Sequence, residues 1–189
     1  MIETKKRLFI GVGLPEEVTH YFYNLTKALS FKNQIIKPIQ YENIHLTIKF
    51  IGDTKIDEIT KINQSIESAA KEIHAFHFSI INKLEGFPNF LNARILYGVI
   101  GKGTSEFTNL FANVEDELER IGIKKEQRKF IPHITIARMK KNINFSNIIN
   151  ELDLKKFDDL ICCKINLYES VLSKEGANYF VIKEFYLKR

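Results

Sequence analysis

Short, continuously apolar runs alternate along the chain with stretches in which apolar residues return every three or four positions. That change of period predicts strands interleaved with helices. Residues 7–14 (RLFIGVGL) are apolar and stop at Pro15, which reads as a buried first strand. Pro15 suits a helix start, and Glu16 and Glu17 follow where the helix dipole favours acids, so a helix should run to about Leu29. Residues 45–50 form the next strand, closed by Gly52-Asp53. Ile56, Ile59, Ile62, Ile66 and Ala69 or Ala70 recur at helical spacing and predict an amphipathic helix from Asp57 to about Ile73. Residues 76–81 and 95–100 read as strands joined by a loop at 85–89. Phe107, Leu110, Phe111, Val114, Leu118 and Ile121 make a helical stripe that ends before Gly122. Strands follow at 133–137, 160–168 and 179–187.

Two of these strands are nearly the same. His45-Leu46-Thr47-Ile48 returns as His133-Ile134-Thr135-Ile136, with the histidines 88 residues apart. Side chains alternate along a strand, so His45 shares a face with Thr47, and His133 with Thr135, while the aliphatic residues point the other way. Each strand would bury its aliphatics and present an imidazole beside a hydroxyl. The strands and helices fall into two sets, each with one such strand, and no Gly/Ser linker separates them. The expected fold class is α+β: a bilobal, pseudo-symmetric body, two antiparallel sheets lining a central groove, helices outside. A length of 189 residues fits a single domain spanning 1–189 and made of two similar lobes.

Composition narrows the picture. An apolar fraction of 44% with 15 Phe supplies an ample core and argues against disorder. Net charge is +5 with a pI near 9.1, a mild bias toward polyanions without a dense basic stripe. The only cysteines, Cys162 and Cys163, are adjacent and offer no disulfide framework. Met1 to Arg7 is charged and leads into an apolar run too short for a secretory leader, and no run approaches the roughly 20 apolar residues of a membrane span. A cytoplasmic location is expected.

Imidazole titrates near pH 6.5, so at neutrality one ring can take a proton from water while another gives one to a departing alkoxide. Each role is worth roughly 10²–10⁴ in rate. Hydroxyls two positions on can donate to non-bridging phosphate oxygens. A 2',3'-cyclic phosphate suits such a set, because its opening needs only in-line water and a protonated leaving oxygen. His20, His74 and His77 lack this setting and read as structural or exposed. There is no HExxH, no paired-cysteine ligand pattern and no acid within either tetrad, and Gly11-Val12-Gly13 lacks the rest of a phosphate loop. No nucleophile elbow is present either. Neither metal nor cofactor is expected.

The chain resembles the two-histidine (2H) phosphoesterases, and more narrowly the RNA 2',3'-cyclic phosphodiesterases, historically called 2'-5' RNA ligases. The likeness rests on Arg7-Leu8-Phe9-Ile10 with Leu14-Pro15, on Asn43-Ile44-His45-Leu46-Thr47-Ile48-Lys49-Phe50-Ile51-Gly52, and on Gly86-Phe87-Pro88 with Ala93-Arg94-Ile95-Leu96-Tyr97. Pro132-His133-Ile134-Thr135-Ile136-Ala137-Arg138 completes it. The resemblance implies a bilobal fold and hydrolysis of cyclic phosphate RNA ends to a 2'-phosphate. It implies His45 as proton donor and His133 as acceptor, a choice that the near-symmetric motifs alone leave open. Thr47 and Thr135 are the expected phosphate-binding residues.

Lys49 and Arg138 are candidate substrate-binding residues. Lys49 has the parity of His45, whereas Arg138 has that of Ile134 and points away unless the strand twists, so its phosphate role is implied by the resemblance. The charged run at 124–129 offers to steer RNA, set against the plainer reading of a solvated face. Phe87 or Tyr97 is available to stack a base, set against a place in the core. Expected partners are RNA with 2',3'-cyclic phosphate ends or cyclic nucleotides, with no membrane, no obligate protein partner and a monomeric state. The rival readings are ATP-independent 2'-5' joining of RNA ends at the same site and a non-catalytic RNA- or nucleotide-binding module.

Overall fold

The computed structural model describes residues 4–146, 152–174 and 176–189. Its strands are β1 (Lys5–Gly13), β2 (Ile36–Pro38), β3 (His45–Lys55), β4 (Phe76–Phe87), β5 (Ala93–Ile100), β6 (His133–Ile143), β7 (Phe157–Cys162), β8 (Lys164–Ser173) and β9 (Gly176–Tyr186). Among the described residues three α-helices accompany them: α1 (Glu16–Lys32), α2 (Ile59–Lys71) and α3 (Thr104–Glu119). The α+β class expected from the two hydrophobic periods holds, with the two expected sheets joined edge to edge as one.

The antiparallel strands run in the order β7-β4-β5-β6-β3-β1-β8-β9, with β2 added on β6. The two sheet halves meet between β6 and β3, where a single residue pair, Leu46 with Ile134, joins them. Each half holds one histidine strand, as the repeat implied. Membership does not follow the order of the chain, however. β8 and β9 return to the half built on β1 and β3, while β4 to β7 complete the other. Helix α1 lies against β2 and β6, whereas α2 packs on α3, β8 and β9 and α3 reaches β3. One apolar core runs through both halves, with Leu8, Ile10, Leu46, Phe78, Phe107, Ile134 and Leu167 buried in it.

Several expected elements differ in extent. The strand expected at 160–168 is two strands: β7 ends at Cys162 against β4, and β8 starts at Lys164 against β1. The apolar pattern continues across the join, so periodicity cannot see the change of partner. Cys162 is buried, Cys163 is exposed, and both are free. The chain does not close at Gly52-Asp53: Gly52 takes φ +88°, a conformation costly for other residues, and β3 continues to Lys55. β4 likewise runs on through Glu85, Gly86 and Phe87, which were expected in a loop. Among the described residues no helix is long and apolar enough to cross a membrane.

Candidate active site

The stitch between the halves brings the two H-x-T tetrads together. In an antiparallel pair centred on Leu46 and Ile134, counting outward sets His45 across from Thr135 and Thr47 across from His133. Leu46 and Ile134 point into the core and are fully buried. The imidazoles and hydroxyls therefore share the opposite face, on the wall of a cavity of about 590 Å³.

Both rings are held the same way. Nδ1 of His45 lies 2.8 Å from the carbonyl of Asn43, and Nδ1 of His133 lies 2.7 Å from that of Ile131. A carbonyl can only accept, so each Nδ1 carries a hydrogen and each Nε2 is the atom left to exchange a proton. Behind each ring stands a stacked aromatic pair from its own half. Phe9 and Tyr168 stack at 4.9 Å near His45, and Phe87 and Tyr97 stack at 4.4 Å near His133. His45 packs 4.9 Å from Phe9 and meets Tyr179 edge-on at 5.3 Å, while His133 meets Phe87 edge-on at 5.0 Å. Phe87 and Tyr97 thus back His133 and stack on each other. Gly11 makes room for His45: a β-carbon there would sit 3.0 Å from the ring's Cδ2 and 3.0 Å from the Leu46 carbonyl.

The two sites are not electrostatic twins. Burial pushes the His45 pKa down from 6.5 to about 4; the Asn43 carbonyl opposes this, and the nearby His133 and Arg138 add to it. His133 is lowered by burial too, with the Ile131 carbonyl opposing and Arg138 contributing. The Thr47 hydroxyl lies 2.8 Å from Nε2 of His45 and, with that ring neutral, donates to it. Free of ligand, the site therefore holds two neutral imidazoles at pH 7.

A matched irregularity sets the direction of the side chains just beyond each tetrad. On β3, Ile10 pairs with Lys49 and Gly11 with Thr47, so Ile48 is an extra residue. On β6, Leu96 pairs with Ala137 and Tyr97 with Thr135, so Ile136 is extra. Each is a β-bulge, after which the faces exchange. Ile48 and Lys49 are both buried and Phe50 is 64% exposed; Ile136 and Ala137 are both buried and Arg138 is exposed. The parities expected for Lys49 and Arg138 are both inverted by this shift. Arg138 turns onto the cavity wall, near enough to depress both histidines. Lys49 turns into the core side: its Nζ lies 2.6 Å from Oε1 of Glu115 on α3 and 3.0 Å from the Lys124 carbonyl. Its charge is matched inside the protein, at the edge of the cavity that Lys49 also lines.

Glu115 completes a latch on the charged loop. Its Oε2 accepts from the backbone N–H of Glu126 at 2.9 Å. The loop at 124–129 does line the cavity. Much of its charge is matched locally, since Lys125 pairs with Asp116 and Glu119 at 2.7 and 3.0 Å, and Arg128 with Glu126 at 3.1 Å. Residue reading missed Glu115, Phe50 and Tyr179. The first two had signals: Glu115 interrupts the apolar stripe of α3 between Phe111 and Leu118, and Phe50 stands five residues after His45 as Arg138 does after His133. Tyr179 had none, because its place comes from the return of β9. His20 lies on α1 beside Glu16 at 3.4 Å, and His77 on β4 pairs with Ile161, both apart from the cavity lining. Among the described residues no group of three or more His, Cys, Asp or Glu is placed to hold a metal ion.

Comparison with known proteins gives the family and the fold. The family described as LigT like Phosphoesterase matches residues 12–97 and 101–179. An RNA 2',3'-cyclic phosphodiesterase of Methanocaldococcus jannaschii is 29% identical over 185 residues, covering 95% of this chain and 99% of that protein. The crystal structure of TT0787 of Thermus thermophilus has a TM-score of 0.78 at 24% identity, covering 96% and 98% of the two chains. E. coli LigT complexed with 3'-AMP has a TM-score of 0.77 at 18% identity, covering 98% and 99%. At those identities the two crystal structures speak for the fold.

Proposed function

The chain belongs to the LigT-like phosphoesterase family, and from that footing we propose that it hydrolyses RNA 2',3'-cyclic phosphate ends to 2'-phosphates by paired-histidine acid–base catalysis. One observation carries the mechanism: both Nδ1 hydrogens are committed to backbone carbonyls, which leaves two Nε2 atoms on one cavity wall. The activity draws on the M. jannaschii relative, and E. coli LigT, crystallised with 3'-AMP, is a fold relative that takes a nucleotide.

In this reading water attacks the phosphorus in line with the 3' oxygen. Nε2 of His133 takes the water proton, Nε2 of His45 delivers a proton to the departing 3' oxygen, and the 2' oxygen keeps the phosphate. Thr47 and Thr135 donate to the non-bridging oxygens, and Arg138 adds positive charge on the same wall. The direction of transfer is the family's assignment, and the free site runs against it, because His45 holds its proton poorly. A bound phosphate offsets the low His45 value, but it faces both rings and so leaves the direction to the family's assignment. A phosphate anion about 4 Å from a ring, at an effective dielectric of about 20, attracts the imidazolium by about 4 kcal/mol, or roughly three pH units. That is enough to bring His45 from about 4 to near neutrality. Protonation also ends its acceptance from Thr47 and frees that hydroxyl for the phosphate.

The same reading takes residues 1–189 as one domain of two similar lobes, supported by the shared core. It acts as a cytoplasmic monomer without a metal or cofactor. The test is a defined oligonucleotide ending in 2',3'-cyclic phosphate, with the product's phosphate position mapped. A 2'-phosphate formed at full rate in EDTA, and lost by about 10²–10⁴ in His45→Ala and in His133→Ala, is the expected result. Joining to a 5'-hydroxyl end would favour ligation, and tight binding without turnover would favour a binding module. Wild-type rates in either variant would remove the histidines from the mechanism.

A further inference from the structure

We propose that β2 and the far end of β6 form a phosphate track that holds the RNA upstream of the cyclic end, so that the protein selects oligonucleotides over cyclic mononucleotides; this rests on the function proposed above. The bulge at Ile136 turns Arg138 onto the groove face, and Lys140, two residues on and exposed, shares that face. β2 adds Lys37, the direct cross-strand partner of Arg138, with its neighbour Ile36 buried on the opposite side. Opposed residues of an antiparallel pair point the same way. Three cations thus stand together on one face, continuous with the cavity wall that Arg138 lines.

Two facts mark this as a place for an anion. Among the described residues Lys37, Arg138 and Lys140 make no ion pair, whereas Lys125 and Arg128 of the charged loop at 124–129 are paired with acids. Like charges set directly across a strand pair also destabilise it, a repulsion that a phosphate between Lys37 and Arg138 would relieve. Arg138 lies roughly 15 Å along the strand from His133. A cyclic mononucleotide has only one phosphate, between the imidazoles, and nothing to place on the track.

The experiment compares 2',3'-cyclic UMP with a uridine pentanucleotide ending in 2',3'-cyclic phosphate, each measured for kcat/KM from 50 to 200 mM salt. For single strands the salt slope is about 0.7 per neutralised phosphate. The double variant K37Q/K140Q should lower the pentanucleotide slope by about 1.4, which is roughly a sevenfold smaller loss across that salt range. Turnover of cyclic UMP should stay at the parental rate, because neither lysine touches it. Equal kcat/KM for the two substrates, or an unchanged slope in the variant, would overturn the track. So would the same slope loss appearing in K124Q/K129Q and not in K37Q/K140Q, since that moves the RNA to the loop. If no cyclic phosphate is hydrolysed, the proposed function fails on its own. Anisotropy of the labelled pentanucleotide then reads the same slopes as binding and still decides the track.

Discussion

Replacing Glu115 with Gln should be among the most damaging single-atom-scale changes outside the cavity. The side chains of Lys49 and Glu115 are 3% and 4% exposed, and their charged atoms are 2.6 Å apart. Such a pair adds little over an apolar equivalent, but removing one partner strands the other charge in the core, at a cost of about 3–5 kcal/mol. In E115Q the amide oxygen can still accept from the Glu126 N–H, so the loss isolates the lysine. Against a total stability of about 5–15 kcal/mol the variant should fold at 25 °C. With a urea slope of about 2 kcal/mol/M, its midpoint should fall by roughly 1.5–2.5 M. Lys49→Met in the same chain removes the stranded charge and should recover most of the loss, giving a coupling of at least about 2 kcal/mol in a double-mutant cycle. Function should decline in parallel, because the latch fixes the loop that leads into Ile131, whose carbonyl orients His133. Refutation is simple: urea midpoints within error of the parent for E115Q, or additive single changes, would mean that the pair is not a buried unit.

Three further outcomes concern the site itself. NMR titration of the free protein should place His45 well below 6.5, near its value of about 4, and inorganic phosphate should raise it; titration at 6.5 or above without ligand would contradict the burial argument. Stability should depend on the same group. The unfolded chain protonates this ring at about 6.5 and the folded one only near 4, so stability present above pH 6.5 is lost as pH falls toward 4. The loss is at most about 3 kcal/mol, and urea midpoints of His45→Gln across that window should be flatter than the parent's. Gly11→Ala should reduce kcat about tenfold or more, by pressing a methyl group on the His45 ring at 3.0 Å; a parental kcat would show that the ring has slack.

Strand alternation was sufficient to put His45 with Thr47, and His133 with Thr135, on one face each, because the first three residues of both motifs are regular. It failed just beyond the tetrads, at Lys49 and at Arg138, for one physical reason, applied twice. A bulge depends on the partner strand, and nothing local in Ile48-Lys49 or Ile136-Ala137 announces that two residues will oppose one. The continuous pattern across Cys162 and Cys163 hid a change of sheet half for the same reason, since pairing is non-local. β2, three residues long and ending in Pro38, is too short to carry a period. By contrast the acid on the α3 stripe was visible as a polar break in an apolar face, and its partner was the lysine already singled out. The helices were legible throughout, because their signal is written within each segment.

The single stitch of Leu46 and Ile134 has a mechanical consequence. His45 and His133 each stand one residue from it, whereas Phe50 and Arg138 each stand four residues beyond, about 13 Å along their strands. A pivot of one sheet half against the other would take its axis at that pair, with the imidazoles close to the axle and the bulged ends at the tips of the levers. A few degrees of rotation would open or narrow the mouth by an amount several times larger than any change in the spacing of the two rings. Under the proposed mechanism such a pivot would separate gripping from proton transfer: the mouth would adjust to the girth of what it holds without retuning the proposed acid and base.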